Sequence, residues 1–169
     1  DDMFAFLDQG VTTFDGADIY TGVEEMYGAF RERLAQRQGV AAARQFKVHT
    51  KFVPDLDRLG RIDRAYVAGI IDRSLQRLKV ERLDLVQFHW WDYAIPGAVD
   101  AAQILRELQL AGKIEHLGGT NFDTPHTRAL IDAELPLVAM QVQYSLLDVR
   151  PEHALVPLAI EKRMGLLCY

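Results

Sequence analysis

The 169-residue chain lacks the means for several kinds of protein. Its one cysteine, Cys168, excludes an internal disulfide and any multi-cysteine metal site. No uncharged apolar run approaches the roughly 18 residues a membrane span requires. A net charge of −5 lacks the positive excess that marks nucleic-acid or anionic-membrane binding, so neither partner is expected. The start, Asp1-Asp2-Met3-Phe4, has no basic region, and no signal peptide is expected. His49, His116, His126 and His153 show no metal-ligand spacing, H-E-x-x-H is missing, and no metal is expected. No G-x-S-x-G surrounds Ser74 or Ser145, which removes support for a serine hydrolase.

What is present describes an ordinary globular surface over a real core: 49% apolar and 25% charged residues. A single cytoplasmic domain over residues 1–169 is the expectation. Short apolar segments alternate with amphipathic ones. Val11 to Asp15, Phe46 to Thr50, Leu83 to Phe88, Ile114 to Gly118, Leu137 to Val142 and Leu166 to Tyr169 read as strands. Val23, Met26, Tyr27, Phe30 and Leu34 mark a helix, and Val67, Ile70, Ile71, Leu75 and Leu78 another. A third follows Pro96-Gly97 and stops at Gly112. Thr124-Pro125 fits an N-cap followed by proline at the first helical position. A last helix runs from about Glu152 to Arg163, and Pro54 to Gly60 is loop.

Such alternation implies right-handed βαβ crossovers and a parallel sheet. An open dinucleotide-binding sheet calls for G-x-G-x-x-G after its first strand, and the chain has none. A β/α barrel has eight units in about 250 residues. The expected fold is therefore an α/β parallel (β/α)8 TIM barrel, here incomplete, with the first and last strands absent. Both chain ends read as interrupted: Asp1 to Gln9 as the last turns of a helix closed by Gly10, and Gly165 to Tyr169 as a bare strand.

In such barrels functional side chains gather at the C-terminal ends of the strands. Those ends carry Asp15, Thr50-Lys51, His89, Thr120-Asn121, Gln141 and Tyr169, with Tyr20 in the loop after the first strand. A phenol, with a pKa of about 10, is a weak acid at neutral pH. An ammonium at about 4 Å contributes roughly 4 kcal/mol at an effective dielectric near 20, enough to activate it. Tyr20 with Lys51 offers that pair, Asp15 can orient the lysine, and His89 can bond a substrate oxygen. Asn121 and Gln141 suit a carboxamide, and Tyr169 offers a face for a planar ring. Each also has an ordinary structural reading: Asp15 as a turn residue, Tyr20 as a core tyrosine, Lys51 as a solvated charge, His89 as a packed histidine paired with Asp92, Asn121 and Gln141 as ligands of loop backbone, Tyr169 as core.

Phe14-Asp15-Gly16-Ala17-Asp18-Ile19-Tyr20 resembles the aldo-keto reductase segment that carries a catalytic aspartate and tyrosine. Thr50-Lys51 matches that family's lysine, and Leu83 through His89 resembles its strand ending in the catalytic histidine. Gly112-Lys113-Ile114 through Gly118-Gly119-Thr120-Asn121-Phe122 and Gln141 through Leu147 resemble two further family segments. The resemblance implies a (β/α)8 barrel and an NAD(P)H-dependent oxidoreductase reducing aldehydes or ketones, with NADPH as cofactor and NADH as the alternative. It makes Tyr20 the proton donor, supported by Lys51 and Asp15, with His89 orienting the carbonyl. Asp15, Thr120, Asn121, Gln141 and Tyr169 would hold the cofactor, and Tyr20, His89 and Trp90 would line the substrate pocket, with Trp91 beside Trp90. The partner is a small-molecule carbonyl compound; aromatic residues near the mouth favour aromatic or apolar ones. Thr120 stands where the family usually has serine, and Gly16 where threonine is common. The family's first barrel strand precedes Asp1, and its last strand and adenosine-phosphate loops follow Tyr169. Two other readings stay open: a non-catalytic nicotinamide-binding subunit on the same scaffold, and an inactive truncated fragment.

Overall fold

The computed structural model describes residues 2–169; Asp1, where the sequence reading begins its first helix, lies outside them. The chain runs α1 (Asp2–Asp8), β1 (Thr13–Asp15), α2 (Val23–Gln38), α3 (Val40–Gln45), β2 (Lys47–Phe52), α4 (Arg64–Leu78), β3 (Leu83–Phe88) and α5 (Ala98–Leu110). It continues through β4 (Ile114–Thr120), α6 (Thr124–Asp132), β5 (Leu137–Val142), α7 (Leu155–Lys162) and β6 (Gly165–Cys168). The strands lie in one sheet in sequence order, every neighbouring pair parallel. A doubly wound sheet reverses direction at a switch point, whereas a barrel adds each strand to the last. Unbroken sequential order thus identifies a curled half-barrel, as the alternation of segments implied.

The helices cover the outer face of the sheet. Val48 and Phe52 of β2, Val86 and Phe88 of β3, Phe30 and Leu34 of α2, Ile71 of α4 and Leu105 of α5 belong to one buried cluster. Residues of opposite parity point the other way, because side chains alternate along a strand. Lys51 pairs with Gln87 across β2–β3, and Thr120 with Gln141 across β4–β5, which sets these polar residues at the C-terminal rim.

The boundaries move for identifiable reasons. β2 extends past Thr50 to Phe52, so Lys51 lies inside the strand; residues 50–52 are all buried, as in a parallel strand covered on both faces. β4 reaches Thr120, and β1 starts only at Thr13. The α6 cap is Asp123, whose carboxylate accepts from His126 N–H, and not Thr124; the acidic side chain takes the cap one residue earlier. A short 3-10 helix, Leu56–Arg61, occupies the expected loop, and another, Arg150–His153, replaces the start of the last expected helix. Met26 sits on the half-exposed side of α2, whose buried face is carried by Tyr27, Phe30 and Leu34. α5 stops where the glycine predicts: Gly112 has φ +84°, and the Gly112 and Lys113 amides donate to the Gln109 and Leu108 carbonyls.

One close approach shapes the region beneath β1 and β2. A Cβ on Gly28 of α2 would lie 2.0 Å from the Arg77 carbonyl oxygen of α4. Glycine lets these helices meet, and the contact brings Arg77 against the start of α2.

Candidate active site

The strand ends converge as the register requires. Lys51 Nζ donates to Asp15 Oδ2 at 2.7 Å and to the Gly16 carbonyl at 2.8 Å. An ammonium has three hydrogens, so among the described residues one remains uncommitted. The same ammonium lies 5.4 Å from the centre of the Tyr20 ring. Asp15 Oδ1 in turn accepts from Gln87 Nε2 at 3.1 Å and Gln141 Nε2 at 3.0 Å. Its carboxylate is therefore the hub of a side-chain network across β1, β2, β3 and β5, not a turn residue. Gln87 escaped the sequence reading, although it stands two residues before His89 and on the same face of its strand as Leu85.

Tyr20 is 45% exposed, and its hydroxyl has no hydrogen-bond partner among the described residues. That is not a core tyrosine. His89 follows β3 directly, and its Nδ1 lies 3.1 Å from the Thr120 carbonyl. A carbonyl can only accept, so Nδ1 carries the hydrogen, and the neutral ring presents Nε2 as an acceptor. Burial pushes the imidazole below its ordinary value, opposed by the Thr120 bond. Asp92 does not pair with His89; its carboxylate accepts from the Ala94 amide.

The carboxamide side of the site is also assembled. Asn121 adopts a left-handed backbone, φ +59°, with its amide donating to the Gln141 carbonyl at 2.9 Å. Tyr169, just past β6, donates its hydroxyl to Asn121 Oδ1 at 2.8 Å and is largely exposed rather than core. Thr120 Oγ1 donates to Gln141 Oε1 at 3.3 Å. Tyr93 hydroxyl donates to the Asn121 carbonyl at 3.2 Å and steadies the same loop.

These residues line one cavity of about 410 Å³, bounded by Asp15, Tyr20, Lys51, His89, Thr120, Asn121, Gln141 and Tyr169, with Ala17, Ile19, Val53 and Trp91 as its apolar wall. The expectation for Trp90 is corrected. Trp90 is 2% exposed, its indole N–H donates to the Asp92 and Ile95 carbonyls, and its ring packs on Phe88. Trp91, half exposed and edge-on to His89 at 4.6 Å, takes the place at the cavity wall. The two adjacent tryptophans in the loop after β3 point different ways, and the sequence does not say which turns inward.

Below the Tyr20 loop lies a second polar cluster. Asp18 Oδ1 accepts from the Val53 amide at 3.1 Å, and its other oxygen faces Arg73 at 3.9 Å. Fully buried Glu24 accepts from Thr50 Oγ1 at 2.7 Å and pairs with Arg77 at 3.4 Å. Burial lifts the Asp18 carboxyl to about 7, the Val53 N–H opposing, Glu24 adding and Arg73 subtracting. Thr50, one residue before Lys51, thus serves the outer face of the strand and not the cavity.

A parallel β/α half-barrel with a lysine–aspartate pair, a tyrosine and a histidine at one rim defines a class of barrel proteins whose chemistry sits at the strand ends. The comparisons fix which. The profile of the aldo/keto reductase family matches residues 1–169, and the chain belongs to that family. It is 30% identical over 167 residues to aldo-keto reductase YhdN of Bacillus subtilis, covering 98% of this chain and 49% of that protein. It is 33% identical over 153 residues to oxidoreductase YdhF of Escherichia coli, covering 82% of this chain and 48% of that one. Among solved structures it superposes on an aldo/keto reductase from Klebsiella pneumoniae in complex with NADP and acetate, with TM-score 0.78 and 27% identity, covering 98% of this chain and 54% of that chain. The glycerol dehydrogenase of Gluconobacter oxydans gives TM-score 0.76 and 27% identity over 99% of this chain and 51% of that chain. The chain thus spans about half the length of these relatives. No helix among the described residues is long and apolar enough to cross a membrane.

Proposed function

We propose that this chain carries the proton-donating half of an NAD(P)H-dependent carbonyl reductase, with Tyr20 as the acid. The observation that carries the reading is the Lys51 ammonium: two hydrogens committed to Asp15 and Gly16, the third free, 5.4 Å from the Tyr20 ring in the same cavity as His89. A buried cation beside a phenol favours the charge that develops on the phenol as its proton leaves.

The residues at the rim fit a nicotinamide. Gln141 and Asn121 are amides at the mouth, Asn121 Nδ2 has no partner among the described residues, and the Thr120–Gln141 bond is long enough to yield to a ligand. Tyr169 leaves a ring face exposed beside them. A cavity of about 410 Å³ is of a size that accepts small ligands. When bound, a reduced nicotinamide supplies the hydride. NADPH is the cofactor of this reading, as in the Klebsiella pneumoniae complex, with NADH as the alternative.

The chain's own residues divide the remaining work. Tyr20 O–H bonds the carbonyl oxygen and gives it a proton as the alcohol forms. Lys51 stabilises the phenolate left behind, and Asp15 fixes the lysine. His89, neutral, accepts a hydrogen bond from the product hydroxyl, and only its doubly protonated form donates to the carbonyl. Ile19, Val53 and Trp91 receive an apolar or aromatic substituent.

The test is loss of reduced-nicotinamide absorbance with a panel of aldehydes. Tyr20→Phe is expected to remove most turnover while cofactor binding persists. Undiminished turnover in that variant overturns the assignment of the acid. Cofactor binding with no turnover in the parent protein favours instead a non-catalytic nicotinamide-binding subunit.

A further inference from the structure

Tyr20 has no polar tether of its own. Its hydroxyl bonds nothing among the described residues, and nearly half its surface is open, so its position is set by the backbone that carries it. That backbone is fastened to β2 at Gly16, whose amide donates to the His49 carbonyl at 2.8 Å and whose carbonyl accepts from Lys51, and again, nearer the tyrosine, at Asp18. The Asp18 amide donates to the Lys51 carbonyl at 3.4 Å, and its carboxylate accepts from the Val53 amide at 3.1 Å. From behind, Arg77 donates to the Asp18 carbonyl at 3.1 Å while it pairs with Glu24. Asp18 is two residues before Tyr20, and its two bonds to β2 and the residues just beyond it bracket Phe52, immediately after Lys51. The buried Asp18 side chain therefore adds a rung between the segment of the acid and the strand of the lysine, two residues from Tyr20 and beyond the bonds that Gly16 makes.

We propose that Asp18 is a positioning residue for the reaction, whose carboxylate, seated on the Val53 N–H, fixes the Tyr20 loop against β2 and so holds Tyr20 at its working separation from Lys51. The inference rests on the reductase reading above. It explains why a carboxylate is kept where burial disfavours its charge: an alanine would leave the buried Val53 N–H unpaired, and the loop would lose its rung on the strand. Arg73 and Arg77 of α4 hold Asp18 from the helix side, and Glu24 pairs with Arg77.

The experiment combines carbonyl-reduction kinetics with amide hydrogen exchange on the full chain. Asp18→Ala is expected to lower kcat by about 10- to 100-fold, the scale of an acid displaced by about an ångström, with a much smaller change in KM. Exchange is expected to quicken in residues 16–22 and 51–53 alone. Asp18→Asn keeps an oxygen acceptor for Val53 and removes the buried charge; it is expected to restore most of kcat and the exchange protection, and to melt no lower than the parent above pH 7. Unchanged kcat and exchange in a folded Asp18→Ala overturn the proposal. So does loss spread evenly over the chain that Asp18→Asn fails to repair, which marks a purely structural residue. Should Asp18→Ala not fold, Asp18→Asn decides: retained kcat and local protection support the seat on Val53, and loss of both removes it. Should the parent reduce no carbonyl compound, the reductase reading fails, while the exchange pattern still reports whether Asp18 fastens the loop.

Discussion

The ammonium of Lys51, inside β2, stands 2.7 Å from Oδ2 of Asp15, the last residue of β1. Lys51 is buried, whereas the Asp15 side chain is 45% exposed, so the two partners are not equivalent. Removing the aspartate strands a buried cation; removing the lysine leaves a carboxylate that water can reach.

That asymmetry yields a pair of outcomes. Lys51→Met is expected to lower carbonyl-reduction turnover by about 100-fold or more with a small change in melting temperature. Asp15→Ala is expected to lower turnover and melting temperature together. Kinetics and thermal unfolding of both variants check this, and full turnover in Lys51→Met overturns the electrostatic role.

The His89–Thr120 bond fixes a pH dependence. Burial holds the ring below its ordinary 6.5, so at pH 7 it is neutral with its hydrogen on Nδ1. Carbonyl reduction is expected to gain from His89 only as pH falls through that lowered value, when Nε2 acquires a hydrogen to donate. His89→Gln, whose amide donates at any pH, is expected to flatten this limb. A profile of kcat/KM from pH 4.5 to 8, a range set by histidine titration at about 6.5, separates the two. An identical profile in both proteins assigns the dependence elsewhere.

Gly28→Ala is expected to carry a packing cost at the upper end of the usual overpacking range of about 1–3 kcal/mol. The new methyl would meet backbone, the Arg77 carbonyl at 2.0 Å, which cannot swing aside as a side chain can. Alanine's better helix propensity, about 1 kcal/mol, works against this and leaves a net loss. Denaturant unfolding measures it; an unchanged midpoint would show that α2 and α4 separate freely.

Much of this was legible in the residues. Apolar-rich segments placed every strand, because a parallel strand covered on both faces is mostly apolar, as Leu83–Phe88 and Leu137–Val142 show despite one or two polar residues in each. Polar residues at the strand ends located the rim, and Asp15, Tyr20, Lys51, His89, Asn121, Gln141 and Tyr169 all line the same cavity. What stayed hidden depends on direction in space. Which of Trp90 and Trp91 meets the cavity turns on the path of the loop after β3. The burial of Asp18 and Glu24 has no local sign in the sequence, since nothing near them reveals that β2 and α4 pack against them. Gln87 carries no sign of its own inside a strand; only its direction in the folded sheet sets it beside Asp15. The α3 helix, six residues long, is too short to produce a full amphipathic period.

The left-handed backbone of Asn121 narrows the chemistry available at the rim. Most side chains pay about 1–2 kcal/mol to enter that region, while glycine, asparagine and aspartate enter it readily. Glycine offers the cavity no functional group, and ionised aspartate only accepts hydrogen bonds. Asparagine alone of the three brings an N–H donor together with a carbonyl that can receive the Tyr169 hydroxyl. The shape of the main chain therefore selects the reagent: a turn geometry, fixed by the bond to Gln141, acts as a filter on which functional group can stand at the mouth of the site.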